Sequence, residues 1–415
     1  MADQRQPGLR LWIDGKPVDR IGDFVLSVEV EERSDEASSF QLTVALNPVG
    51  TEDGGDWDVL EHGAFAQANA VPDLRLLLRI TIEFSLLSDD GSEQRAVVMD
   101  GYITGMEPVF TEERLPGSRL IVSGLDASCL MHFETVAREW YGMSDADIAR
   151  SIFQKYGFDV SGTSIDATPT TRDLDRSTLV QRHTDAEFLR FLAKRNGYET
   201  FLDPVQQEVK PGPHPGTALV GHFRSPRPDQ DVQPALDLFP RIAPSLLEFR
   251  AKWESNLPPR VRGWHINETT RRIERTDVSD PDYARMGTTS RAQILDARLA
   301  EIFRNGTKPD PSDIQSAIVP MDAAEVKTLA RAEYRGADWF VQGSGTVMAE
   351  RYPVIIRSRR PVDLTGAGHL LDGRWYCRAV RHRWAVDVDR PDEEPVVRRY
   401  EADVILVRNA LGGIG

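Results

Sequence analysis

The sequence predicts a mainly β fold with an α/β insert, in which two β-rich blocks flank a small helical module. Three observations support this prediction. Apolar and polar residues alternate in the first and last parts of the chain, which is the pattern of half-buried strands. Turn signals separate these runs. The middle part instead places apolar residues at helical spacing behind residues that cap helices. The two β-rich blocks have similar size, which suggests a structural duplication.

Length and charge narrow the class of protein. The chain has 415 residues, with 50 Lys+Arg and 65 Asp+Glu, so its formal charge is −15. This length suits two or three domains. The acidic balance argues against a nucleic-acid binder and against adsorption to anionic membranes. Apolar runs such as residues 76–78 are too short to span a bilayer, and the N-terminus lacks the apolar core of a signal peptide. We therefore expect cytoplasmic assembly.

The first block, residues 1–126, contains five strand patterns. Leu26, Val28 and Val30 alternate with polar residues, and the same period of two recurs at 40–46 and 78–84. Residues 88–91 read SDDG, which is a hairpin signal because Asp-Gly readily adopts positive φ. Further strands are expected over 97–106 and 119–125. Several strands joined by turn signals indicate a barrel or a sandwich.

The middle module, residues 127–203, contains two helix patterns. Ser144 and Thr184 each precede an apolar stripe and an acidic first turn, so both are expected to be N-caps. Gly157 and Gly197 close the two helices. A strand is expected over 198–202.

The second block, residues 204–411, is strand-rich with two helices, and a short tail, 412–415, follows. We expect loops at 211–216 and 305–312, and helices over 291–303 and from 321 to about 335. Residues 204–240 and 280–320 look like insertions. The expected strands are 246–253, 260–266, 345–349, 354–356, 374–385 and 399–407.

No residue pattern indicates catalysis, and we expect no catalytic residue, no metal site and no cofactor. The eight histidines lack the His-Glu-x-x-His spacing of a helical zinc site. Gly343-Ser344-Gly345 lacks the rest of a phosphate-binding loop and is interpreted as a turn. The two cysteines, Cys129 and Cys377, are expected to be reduced and buried. Asp126, Glu134 and Glu139 could supply a glycosidase pair, although solvated charges and helix caps explain most carboxylates.

Eight residues near the C-terminus form the candidate interface. Aromatic residues in alternating strands are core residues, interface anchors or a carbohydrate platform. The neighbouring arginines form a positive patch on an acidic protein, which suits docking to acidic protein surfaces or is a solvated face. The candidate interface residues are Arg357, Arg359, Arg360, Trp375, Tyr376, Arg378, His382 and Tyr400.

Several segments, in order along the chain, resemble one family. Residues 181–198 read QRHTDAEFLRFLAKRNGY and resemble a signature of bacteriophage tail hub proteins. That family includes the phage late-control D protein and the N-terminal hub half of the VgrG spike proteins of type VI secretion. The other matching segments are DGYITG at 100–105, DASCLM at 126–131, VRGWH at 261–265, DAAEVKTLARA at 322–332 and GRWYCRAVRH at 373–382.

The resemblance implies a structural role. Proteins of this family form a trimer in which each chain carries two tube-like β-barrels, so that three chains present a pseudo-sixfold ring to a hexameric tube. It implies two such barrels here, at 1–126 and 204–411. The partners would be two further copies of the chain, an inner tube protein and other baseplate components. Because no spike segment follows residue 415, we expect a separate spike protein.

The sequence therefore predicts a non-enzymatic baseplate hub of a phage tail or a phage-like contractile injection system. It would join the hexameric inner tube to the trimeric spike, without nucleic-acid binding or membrane insertion. Two alternatives stay open. One is a cell-wall-degrading or carbohydrate-binding tail component. The other is a tube-like protein that forms hexameric rings, although such proteins usually have the length of one barrel.

Overall fold

A computed structural model describes most of the chain. The described residues are 5–18, 25–45, 74–111, 118–169, 179–206, 217–239, 244–256, 259–267, 270–280, 282–307, 313–314, 323–386 and 398–412. The expected loop at 211–216, most of that at 305–312 and the tail beyond 412 lie outside them. Within these ranges, no helix combines the length and the apolar character needed to cross a membrane.

Strands dominate the described residues. They are β1 Gln6–Ile13, β2 Lys16–Pro17, β3 Val25–Arg33, β4 Ser39–Ala45, β5 Arg79–Leu87, β6 Glu93–Val109, β7 Arg119–Asp126, β8 Arg138–Trp140, β9 Leu179–Gln181, β10 Glu199–Gln206, β11 Thr217–Arg224, β12 Gln233–Asp237, β13 Leu246–Trp253, β14 Val261–Ile266, β15 Ile273–Val278, β16 Thr289–Ser290, β17 Asp313–Ile314, β18 Val341–Met348, β19 Pro361–Thr365, β20 Gly373–Val386, β21 Arg398–Arg408 and β22 Ala410–Leu411. The α-helices are α1 Asp145–Lys155, α2 Asp185–Asn196, α3 Arg291–Ile302 and α4 Ala323–Asp338, and 3-10 helices cover Ala127–His132 and Ala349–Arg351.

One large, almost wholly antiparallel sheet connects the two β-rich blocks. Its strand order is β13-β18-β21-β20-β3-β4-β7-β6-β5-β1-β2, with β19 beside β20 and β12 beside β19. The long strand β20 makes the connection, because its first residues pair with β19 and its later residues pair with β3. The predicted mainly β fold with a few helices is confirmed.

The two barrels are not closed by hydrogen bonds in the described residues, where the ladders form an open path. The first block nevertheless curls back on itself, since β1 contacts β21. The Arg5 amide also donates to the Glu350 carbonyl at 3.1 Å. The expectation of two separate closed barrels is corrected to one continuous sheet, because β20 and β21 are long enough to take part in both blocks.

Three apolar cores follow the chain order. The first lies inside β1 and β3–β7, and Trp384 and Tyr400 from the C-terminal strands complete it. The second belongs to the middle module and extends to Phe223, beyond residue 203, where we placed the end of that module. The third lies in the C-terminal block. The domain boundaries stay a prediction.

Local signals account well for the middle module. The Ser144 hydroxyl accepts from the Asp147 amide at the start of α1. Thr184 and Glu187 form a capping box at the start of α2, and Gly197 ends that helix with φ +63°. Each cap satisfies amide or carbonyl groups that the helix itself leaves unpaired.

The structure corrects three expectations in the second block. Residues 354–356 are not a strand: Ile355 packs in the first core and Ile356 in the third. The amide of the neighbouring Arg357 donates to the side-chain oxygen of Gln233 rather than to a backbone carbonyl of a paired strand. The interpretation of 204–240 as an insertion missed β11 and β12, and the prediction also missed β19.

Gly343 and Gly345 lie inside strand β18 rather than in a turn. A side chain at Gly343 would meet the Phe249 ring, and one at Gly345 would meet the Glu248 carbonyl and Leu246. These glycines therefore allow close packing against β13.

Candidate interaction site

The structure places the eight candidate interface residues around the junction of the two β-rich blocks, with different exposure. Most of their side chains are buried within this chain, whereas Arg360 is exposed and Arg378 is half-exposed. The buried members are Trp375, Tyr376, His382, Tyr400 and Arg359. Their aromatic rings are thus core residues, which was one of the interpretations of the sequence pattern. An interface role stays a prediction, carried by Arg360 and Arg378.

The buried aromatic residues tie β20 to its surroundings through hydrogen bonds. The Trp375 indole donates to the Leu371 carbonyl at 2.8 Å, and the Tyr376 hydroxyl donates to Glu199 at 2.7 Å. His382 Nδ1 lies 2.8 Å from the Tyr400 hydroxyl. The Tyr400 ring stacks on Phe84 of the first block at 4.8 Å. Each bond satisfies a polar group that burial would otherwise penalise.

A buried ion pair lies at the same junction. Arg357 Nε donates to Glu32 Oε1 at 2.6 Å, and its terminal nitrogens donate to Asp203 at 3.2 Å and to the Val97 carbonyl at 3.1 Å. The Ser358 amide donates to the other Glu32 oxygen at 2.9 Å. Burial alone would raise the pKa of Glu32, but the nearby cations, Arg357 foremost, hold that pKa below its usual value.

The neighbouring arginines join the same set of contacts. Arg359 donates to the Arg33 carbonyl and to the Ser38 hydroxyl. Arg378 forms an exposed ion pair with Asp35 at 3.4 Å, which contributes little stability. The junction therefore joins β3, β10 and the turn at 357–360.

Sequence reasoning missed the acidic members of this junction. Glu32 and Arg357 are 325 positions apart, and Glu32 stands in a run of exposed-looking charges, EVEER, at 29–33. The alternation of Val28 and Val30 is the one available signal, since a period of two places Glu32 on the buried face with them.

The hairpin β14–β15 carries a second candidate surface. Its inner face packs on α4, where Val261, Val278, Ala330 and Tyr334 form a small core. The outer face presents Trp264, Ile266 and Ile273, which are 45%, 66% and 64% exposed. Ile266 and Ile273 are directly paired across the two strands. We call the residues Arg262, Trp264, Ile266, Ile273 and Arg275 the hairpin outer face. A contiguous exposed apolar surface is typical of a protein–protein interface.

The described residues contain no group of three or more His, Cys, Asp or Glu side chains that could hold a metal ion. Cys129 and Cys377 are both buried and unpaired with each other, as expected. Asp126 accepts from the Ser38 amide at 2.6 Å and from the Ser128 amide at 2.9 Å. That carboxylate therefore caps backbone groups, which is a structural use.

Solved structures of two tail proteins share this fold over nearly the whole chain. The 43 kDa tail protein of prophage MuSo2 from Shewanella oneidensis matches with a TM-score of 0.59 and 14% identity, over 98% of this chain and 100% of that one. A tail protein from Neisseria meningitidis MC58 matches with a TM-score of 0.54 and 13% identity, over 98% of each chain.

A VgrG-containing complex shows the same fold. The lidded Francisella PdpA–VgrG complex contains a chain that matches with a TM-score of 0.53 and 11% identity, over 99% of this chain and 54% of that one. The chain thus spans about half of that larger protein. These identities are low, so they establish similarity of fold. No family model and no curated protein matches the sequence.

Proposed function

We propose that the chain is a structural baseplate hub, a trimeric adaptor that joins a hexameric inner tube to a trimeric spike. The observation that supports this proposal most strongly is the end-to-end match with two tail proteins. Both matches span nearly the full length of each chain, so the likeness includes the order of both β-rich blocks and the module between them.

The two β-rich blocks supply the duplication that such an adaptor needs. Each block curves around its own core, and the same long strands β20 and β21 serve both. We propose that the blocks act as two tube-like units, 1–126 and 204–411, around the module at 127–203. Three chains would then present six similar units to a tube with sixfold symmetry.

The surface of the chain supports self-association. Strand β13 is an end of the large sheet, and Trp253 and Leu247 on it are 54% and 52% exposed. Unpaired sheet edges favour pairing with other chains. We propose that this edge and the hairpin outer face are buried between protomers, and that Arg360 and Arg378 contact acidic groups of neighbouring chains.

The proposed partners are two further copies of this chain, the inner tube protein, a separate spike protein and other baseplate components. The role is structural rather than enzymatic and uses no cofactor. The chain would assemble in the cytoplasm and then become part of a phage tail or a phage-like injection particle.

Light scattering coupled to size exclusion tests the proposal through the solution mass of the purified chain. A mass of three times 46.5 kDa is expected. A hexamer would favour a tube-like protein instead, and a monomer at all concentrations, with or without a co-expressed spike, would contradict the proposal.

A further inference from the structure

A cavity of about 140 Å³ lies between the β10–β11 hairpin and the turn at 357–360. Its lining is rich in guanidinium groups. The arginines that line it are Arg224, Arg227, Arg357, Arg359 and Arg360, and the acidic residues are Asp203 and Asp231.

Although burial opposes the shift, Arg357, His222, Arg359 and Arg360 together hold the pKa of Asp203 below its usual value. Arg357 is paired with Glu32 and Asp203, and Arg227 is paired with Asp166 at 3.0 Å. Arg224, Arg359 and Arg360 have no carboxylate within ion-pair distance among the residues that the structure describes. The carboxyl group of Glu199, which faces Arg224 and Arg359, accepts from Tyr376, and burial raises its pKa.

Four buried polar atoms of the lining residues lack a hydrogen-bond partner. They are Arg224 Nε, Arg359 Nε, Ser358 Oγ and His222 Nδ1. Ser358 and Arg359 are only 4% and 6% exposed. Buried polar groups in folded proteins are nearly always paired. Arg224 Nε and Arg359 Nε can only donate, so a partner for these two atoms would have to accept hydrogen bonds.

The side chains are held in place around this cavity. The Arg359 guanidinium lies 4.2 Å from the centre of the Phe201 ring. The His222 ring stacks on the same Phe201 ring, with the two ring centres 4.5 Å apart. Arg359 has φ +62°, and its amide donates to the Cys377 carbonyl at 2.6 Å. A terminal nitrogen of Arg359 already donates to the Arg33 carbonyl and the Ser38 hydroxyl. Arg224 and Arg360 are therefore the lining arginines that we expect to supply bidentate recognition of an oxyanion.

We propose that this cavity is a binding site for a small oxyanion of the phosphate or carboxylate class. Its source is either a free inorganic anion or an acidic side chain of a neighbouring chain. The proposal does not depend on the proposed hub function, because all the residues that line the cavity belong to one chain.

Calorimetric titration at constant ionic strength tests the proposal with two probes, inorganic phosphate and acetate. The expected dissociation constant of the full chain is about 1 mM or tighter for at least one probe. Preference for phosphate would identify a free anion as the source, and preference for acetate would identify a protein carboxylate. No binding of either probe above the chloride control would overturn the proposal.

Arg224→Gln is the test variant and Arg150→Gln is the matched control, because Arg150 lies on α1, outside the cavity lining. Arg224→Gln should weaken binding about tenfold or more, while Arg150→Gln should leave it unchanged. Equal losses in both variants would overturn the proposal, because they would show a nonspecific effect of charge.

A second measurement uses the unmodified chain. Burial lowers the pKa of His222 to about 4, with Asp203 opposing this shift and Arg224, Arg359 and Arg227 adding to it. An oxyanion beside Nδ1 would favour the protonated ring. The NMR titration of His222, assigned by comparison with His222→Gln, should therefore shift to higher pH in the presence of the bound probe. An unchanged titration would contradict the assignment of the site.

Discussion

His382 shows how the junction depends on protonation. Its ring is fully buried beside Tyr400. Burial lowers its pKa from 6.5 to about 4, with Glu32 opposing the shift and Arg357 adding to it. The unfolded chain therefore takes up a proton below pH 6.5, while the folded chain stays neutral until about pH 4. Stability that this histidine contributes above pH 6.5 is lost as the pH falls through this window.

This linkage predicts the effect of His382→Gln on acid sensitivity. Between pH 7 and pH 4.5 the wild type should lose about 2 kcal/mol through His382, and the variant should lack this loss. Asp338 has the opposite effect on the pH dependence of stability in both proteins, because burial raises the pKa of its carboxyl group to about 6. Urea unfolding at the two pH values measures the difference. An equal pH dependence in both proteins would show that His382 is not buried as a neutral ring.

Alanine substitutions at two glycines provide a matched pair of stability tests at the scale of single residues. A side chain at Gly124 in β7 would collide with the Tyr102 carbonyl and the Phe40 ring, whereas nothing lies near the corresponding position of Gly336. Gly124→Ala should destabilise the chain by about 1–3 kcal/mol. Gly336→Ala, in α4, should stabilise it by about 0.5–1 kcal/mol. Thermal unfolding of both variants checks the signs, and a neutral Gly124→Ala would contradict the packing of β4 against β7.

At the scale of single elements, the hairpin β14–β15 exposes Trp264, Ile266 and Ile273 on its outer face. Replacing Trp264 and Ile266 together by serine should leave the melting temperature within a few degrees, because both side chains are exposed. It should also reduce the solution mass from a trimer to a monomer. Serine at Leu370 and at Phe133, which are 56% and 65% exposed, provides the control. A trimer that survives in the hairpin variant would exclude this face from the interface.

The sequence predicts elements well where the signal is local. Thr184, Glu187 and Gly197 bound α2 through contacts within a few residues of each other, so the pattern alone suffices. Strand β19 was missed because it is only five residues long and begins with Pro361. Its partner β20 follows it closely, whereas its other partner, β12, lies far away in the chain. Residues 354–356 have a strand-like composition, but their side chains serve two cores, and no local pattern encodes that. The pairing of Glu32 with Arg357 is equally nonlocal.

The whole molecule is two β-rich blocks joined by continuous strands. The sequence predicted strands in the first and last parts of the chain and helices α1 and α2 between them, because alternation and helix caps extend over many residues. It did not predict that β20 pairs with β3 across the two blocks, since strand order depends on contacts between distant segments. This continuity makes the two blocks one mechanical unit, which suits an adaptor that transmits load between a tube and a spike.

The central claim is that three copies of this chain form a ring with six similar units, and electron microscopy of the purified oligomer tests it most directly. Class averages along the ring axis should show threefold symmetry with six lobes of similar size, two from each chain. A ring with true sixfold symmetry and one lobe per chain, or particles without a ring, would contradict the account.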